Sequence, residues 1–168
     1  INLATSLALS GKRVLLVDLD PQANLTSGVG RKGQTAASGT IYEALTGEIG
    51  DARAFVLATD VDGLSIVPAD RQLTGAEIEL VTVLAREQRL RRFLDALRPD
   101  FDFIFIDTPP SLGLLTLNAL VAGDSVIVPL NCEYFALEGI ADLTATIDRV
   151  RAALNPSLAL EGVLLTMY

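Results

Sequence analysis

Residues 13–28 read RVLLVDLDPQANLTSG, and this stretch decides the fold. Four apolar residues, Val14 to Val17, run without a break into Asp18, Leu19, Asp20 and Pro21. A strand buried on both faces reads as a continuous apolar run, and the acids and proline then supply turn chemistry at its end. In an open parallel sheet, ligands bind outside the carboxyl ends of the strands, so these acids stand where a site belongs. Because side chains alternate along an extended strand, Asp18 and Asp20 share a face if the strand persists through both.

The same pattern recurs outward from this point. LSIVPA (64–69), FDFIFID (101–107), DSVIVPL (124–130) and LEGVLLTM (160–167) are further strand candidates, nearly continuous in apolar residues. Between them, TIYEALTG (40–47), TGAEIELVTVLAREQRLRRFLDALRP (74–99), LGLLTLNALVAG (112–123) and ALEGIADLTATIDRVRAALNP (136–156) have helical spacing, several closed by Gly or Pro. Alternating β and α predicts an α/β fold with a mostly parallel sheet and helices on both faces. One domain over 1–168 is expected, since no repeat, low-complexity tract or linker interrupts it. The polar, glycine-containing stretch from Thr26 to Ser38 is the candidate mobile loop.

Composition limits the chemistry. The chain has 168 residues, 50% of them hydrophobic and 20% charged, enough to bury a core. No apolar run approaches the roughly 18 to 20 residues of a membrane span, and the start lacks signal-peptide features, so a cytoplasmic location is expected. Thirteen basic against 21 acidic residues give a net charge of −8, which argues against binding nucleic acid by bulk electrostatics. The single Cys132 forms no internal disulfide and reads as a small core residue, and without His a transition-metal site has few ligands.

Asp107, in FIFIDTPPS, ends a second strand, so the fold predicts three carboxylates at one edge. One strand-terminal Asp reads as a cap or a solvated turn. Three of them, in proline-containing turns and without His or Cys, suit a hard cation such as Mg²⁺ and an oxygen-rich ligand, phosphate. Gly28, Gly30 and Gly33 fit G-x-G-x-x-G, and GVGRKGQT (28–35) nearly fits a phosphate loop with Gln34 in place of lysine. Both come about ten residues after the strand rather than at its end, so both read as surface loop.

GKRVLLVDLDPQANLTSG, FDFIFIDTPPSLGLLTLNAL, VPLNCEYFALEG and LEGVLLTMY together resemble the ParA/Soj partition ATPases, deviant Walker members of the P-loop NTPases, over almost the whole chain and in order. The resemblance implies a three-layer ATPase domain using ATP and Mg²⁺. It makes Asp20 and Asp18 the catalytic carboxylates: the acid matching Asp20 helps position the attacking water and the one matching Asp18 supports the site. The acid matching Asp107 holds Mg²⁺ through water, and Thr108, Pro109 and Pro110 lie on a switch near the phosphates. The family's glycine-rich, lysine-bearing phosphate loop would lie immediately before Ile1, and further segments, including its DNA contacts, would follow Tyr168. The chain is therefore expected to be truncated at both ends and, as it stands, a poor ATP binder.

For the parent protein the resemblance implies an ATP-closed homodimer, non-specific DNA binding at the nucleoid, release on hydrolysis, and a ParB-type partner protein, with no membrane expected. The alternative is a MinD-type membrane-associated spatial regulator, whose switch sequences differ from DLDPQAN and IDTPPS. A nitrogenase-iron-protein-like role needs cluster thiolates, and one cysteine is too few. On the basic helix, Leu90, Phe93, Leu94 and Leu97 form the expected buried stripe and Glu87, Arg91 and Asp95 an i, i+4 ladder. Arg86, Arg89 and Arg92 are left as a row, read as a solvated face in preference to a phosphate-contacting patch.

Overall fold

The computed structural model describes residues 1–48, 50–131 and 136–166. Strand β1, Val14–Asp18, is central to a four-stranded sheet ordered β2-β3-β1-β4, in which β2 is Leu57–Ala58, β3 Leu64–Val67 and β4 Phe103–Asp107. β1 pairs in parallel with β3 and β4, and the short β2 runs antiparallel along β3. A second, two-stranded parallel sheet joins β5, Ser125–Asn131, to β6, Ala159–Thr166. All five expected strands are present; β2, two residues long, carries too little pattern to be read in advance.

The apolar run of β1 is explained by cover on both faces. Leu15 and Val17 enter one core with helices α3 (Ile41–Thr46), α4 (Leu73–Glu79), α5 (Arg89–Asp95) and α6 (Leu114–Ala122). Val14 and Leu16 enter the opposite core with Ala4 and Ala8 of α1 (Asn2–Leu9) and Leu25 of α2 (Asn24–Gly28). Helix α7, Ala136–Ala153, brings Ile147 and Val150 against Leu120 and Val121 of α6. Helices on both faces of a mostly parallel sheet are the architecture expected from the alternation.

Local chemistry sets the helix starts. Thr40 and Glu43 form a reciprocal capping box at α3. Glu77, reaching over from α4, accepts the Leu114 amide at 3.1 Å and so caps α6 from another element.

Three expectations are corrected. Residues 74–99 do not form one helix: α4 and α5 are separated by short 3-10 turns at Leu80–Thr82 and Arg86–Gln88. Val83 is extended and Ala85 left-handed, and the β-branched run Val81-Thr82-Val83 disfavours helix there. The stretch from Thr26 is not all loop, because α2 covers Asn24–Gly28 and buries Leu25 and Thr26; the later glycines, Gly30 and Gly33, do lie in turns at positive φ.

The charge ladder is the third. Leu90, Phe93, Leu94 and Leu97 are buried as expected, with Phe93 edge-on to Phe55 at 5.5 Å between centroids. Asp95, however, pairs with Arg98 at 3.3 Å, and Glu87 lies outside α5, which begins only at Arg89. Arg86 donates to the Val81 carbonyl and Arg89 to those of Leu45 and Gly47, so these two tie down chain turns and do not form a free row.

One gap interrupts the molecule. Among the described residues β4 and β5 share no ladder, and a cleft of about 840 Å³ separates the two sheets. Phe103, Phe105, Val126, Ile127 and Val128 line it, with Leu3 and Leu7 of α1 on one side. Phe103 and Ile127 are each 42% exposed. Cys132 lies outside the described residues.

Candidate functional site

The carboxyl edge of the larger sheet gathers the three acids. In the β1–β4 ladder Asp18 is the register partner of Asp107, and beyond it the Leu19 amide donates to the Asp107 carbonyl at 2.9 Å. The strand stops at Asp18, so Asp18 and Asp20 do not share a strand face: Asp20 sits in the following turn, where its Oδ1 accepts the Gln22 amide at 2.9 Å.

Asp18 is completely buried. Its Oδ1 accepts the Asp20 amide at 3.2 Å, and its Oδ2 accepts both the Thr26 amide at 2.7 Å and the Thr26 hydroxyl at 2.6 Å. Desolvation pushes its carboxyl above the usual range, opposed by the donors from Thr26 and Asp20. A carboxylate with no open surface and committed oxygens orients other groups and does not meet a ligand itself.

Asp107 differs. It is exposed, and its carboxyl is also raised, first by desolvation and then by the charges of Asp18 and Asp20. A hollow of about 350 Å³ beside it is lined by Ile1, Leu3, Asn24, Leu25 and Asp107, among others, so the start of α1 is also at this edge. Unfavourable carboxylate repulsion at an open edge is what a cation relieves.

The acids do not, however, enclose a bare ion. Among the described residues no three His, Cys, Asp or Glu side chains are grouped to hold a metal. One accessible aspartate suits a cation that keeps most of its waters, as Mg²⁺ does.

Thr108, Pro109 and Pro110 lead away from Asp107 toward α6, Thr108 bordering the cleft. The far end of this segment is pinned by Glu77 at Leu114 and by the Thr116 hydroxyl, which donates to the Ser111 carbonyl at 2.6 Å. Sequence reasoning missed Thr26 and Glu77. Thr26 carried little signal, standing in the mostly polar run Asn24-Leu25-Thr26-Ser27; Glu77 carried none, because its partner is 37 residues away.

This architecture, with its acidic turns at the carboxyl edge, defines an α/β protein of the P-loop NTPase-like, three-layer class. The chain belongs to the family described as AAA domain, which matches residues 1–160. Over 168 residues it is 55% identical to the chromosome partitioning protein ParA of Myxococcus xanthus, covering 100% of this chain and 59% of that protein. It is 51% identical to the sporulation initiation inhibitor protein Soj of Bacillus subtilis, covering 99% and 65% respectively. The chain thus spans about three fifths of the length of these relatives, and its resemblance to ParA/Soj holds from end to end.

Among solved structures, cobyrinic acid a,c-diamide synthase from Mycobacterium smegmatis with bound ATP analog and magnesium is 42% identical, with a TM-score of 0.89, covering 99% of this chain and 67% of that one. A plasmid partition protein from Borrelia burgdorferi is 29% identical, with a TM-score of 0.84, covering 99% and 70%. The described residues contain no helix long and apolar enough to cross a membrane.

Proposed function

We propose that this chain is the greater part of an ATP-dependent partition ATPase. The observation that carries the reading is the pairing of Asp18 with Asp107 at one sheet edge, with the Asp20 turn beside them. In this reading Asp107 holds Mg²⁺ through water, Asp20 orients the attacking water, Asp18 supports Asp20 from below, and Thr108, Pro109 and Pro110 lie beside the phosphates. Magnesium supplies charge neutralisation at the phosphoryl oxygens, and the protein's share is chiefly positioning.

The phosphate loop belongs, on the same reading, to a segment preceding Ile1. Two features support this: among the described residues the cleft between β4 and β5 presents unpaired strand edges, and the start of α1 stands beside Asp107. A strand filling the cleft, followed by a loop over the acids into α1, would give the backbone N–H cradle that phosphate requires. The whole protein then dimerises with ATP, binds DNA non-specifically at the nucleoid, and releases it on hydrolysis stimulated by a ParB-type partner.

The test compares ATP and Mg²⁺ binding by the 168 residues with that by the chain extended at both ends as its gene encodes. Binding by the extended chain alone is expected. In that chain Asp20→Ala should lower turnover about 100-fold while leaving ATP affinity within about twofold. Normal turnover in Asp20→Ala would sink the role given to that carboxylate.

A further inference from the structure

The turn that carries Asp20 is bracketed by a single carboxylate. Asp18 Oδ1 takes the Asp20 amide where the turn begins, and Oδ2 takes the amide and hydroxyl of Thr26 after it has closed. Between the brackets the chain is under strain, because Ala23 stands in the left-handed region at φ 52°. What holds the carboxylate in this double grip is the Thr26 side chain. Its hydroxyl donates to Asp18 and accepts the Ala69 amide at 3.0 Å, from the chain just beyond β3.

Asp18, Thr26 and Ala69 are 0%, 1% and 4% exposed, so water offers no replacement for any of these bonds. One hydroxyl therefore ties together the end of β1, helix α2 and the exit of β3. If it were lost, Asp18 would keep the Thr26 amide but lose the contact that fixes its rotamer against the rest of the sheet. The Asp20 amide, held by the other oxygen of the same carboxylate, would lose its fixed point.

We propose that Thr26 is a positioning residue for Asp20: through Asp18, its buried hydroxyl sets where the Asp20 carboxylate stands at the sheet edge. This rests on the ATPase reading above, and the experiment separates the two. It uses the extended chain with ATP and Mg²⁺, and compares Thr26→Val, Thr26→Ser and the parent, each also combined with Asp20→Ala.

Thr26→Val is expected to lower kcat about tenfold with KM for ATP within about twofold, and Thr26→Ser to stay within about threefold of the parent. In the Asp20→Ala background, Thr26→Val should change the residual rate less than about twofold, since a residue acting through Asp20 has nothing left to position. An unchanged kcat in Thr26→Val, or an equal fall with and without Asp20, overturns the proposal. If Thr26→Val does not fold, Thr26→Ala decides in the same two backgrounds: a fall in kcat that disappears with Asp20→Ala supports the proposal, and an unchanged kcat or an equal fall in both overturns it. No hydrolysis by the unsubstituted extended chain overturns both the ATPase reading and this one.

Discussion

Ala23 shows how much conformational stress one turn holds. At φ 52° its Cβ crowds the neighbouring carbonyl, at a cost of roughly 1–2 kcal/mol for a residue other than glycine. Glycine adopts this conformation freely but loses more entropy on folding. Ala23→Gly should therefore raise the unfolding free energy by about 0.5–1 kcal/mol, read as a higher urea midpoint at unchanged slope. A lower midpoint would show that the turn is not strained. The spacing of Asp18 and Asp20 made the site legible in the sequence, since apolar runs and turn residues are local signals. The directions of the two side chains were not legible: they follow from where β1 stops and from a threonine eight residues on.

At the scale of the element, β4 carries an aspartate near each end, and the two titrate in opposite senses. Asp102, just before the strand, is held below the usual range by the Arg13 guanidinium and then by the Arg13 amide, tying the starts of β4 and β1 together. Asp107, at the other end, is held above its ordinary 3.8 by desolvation and by its acidic neighbours. A lowered pKa gives stability that is present above the unfolded value and lost as pH falls through the folded one. A raised pKa does the reverse: the native carboxyl keeps its proton longer, so stability declines as pH rises from the unfolded value through the folded one.

Without Mg²⁺ at about pH 7, Asp102→Asn should therefore lower the thermal midpoint and Asp107→Asn should raise it. Each difference should shrink toward zero as the pH falls below both the folded and the unfolded pKa of that carboxyl, where it is protonated in both states. A destabilised Asp107→Asn would mean that this carboxylate gains more from its surroundings than it loses. Elements also mark where periodicity misleads. Residues 74–99 have helical spacing, yet the β-branched Val81-Thr82-Val83 and the left-handed Ala85 divide them, and Arg89 is drawn to the carbonyls that end α3.

Across the whole molecule, and among the described residues, the cleft leaves the facing edges of β4 and β5 without a ladder, in a fold that buries β1 and β3 but leaves most of β6 exposed. Edge amides without partners exchange with solvent readily, whereas those in a central ladder are protected. Hydrogen exchange of the cleft-facing amides of β4 and β5 should thus be fast in the 168 residues. In the extended chain it should slow by at least about tenfold, with β3 and its pairing to β1 unchanged. Equal exchange in both would mean that the preceding segment does not fill the cleft.

The sequence by itself determined the α/β alternation, the five principal strands and the acids that end two of them, because strand periodicity and turn chemistry act over a few neighbouring residues. Only the tertiary structure decided which of those acids is sealed and which is open, that Glu77 caps α6, that Thr26 joins three elements, and that a cleft divides the sheets. Each of these depends on groups far apart in the chain, whose meeting is fixed by packing and by the need of buried polar atoms for partners.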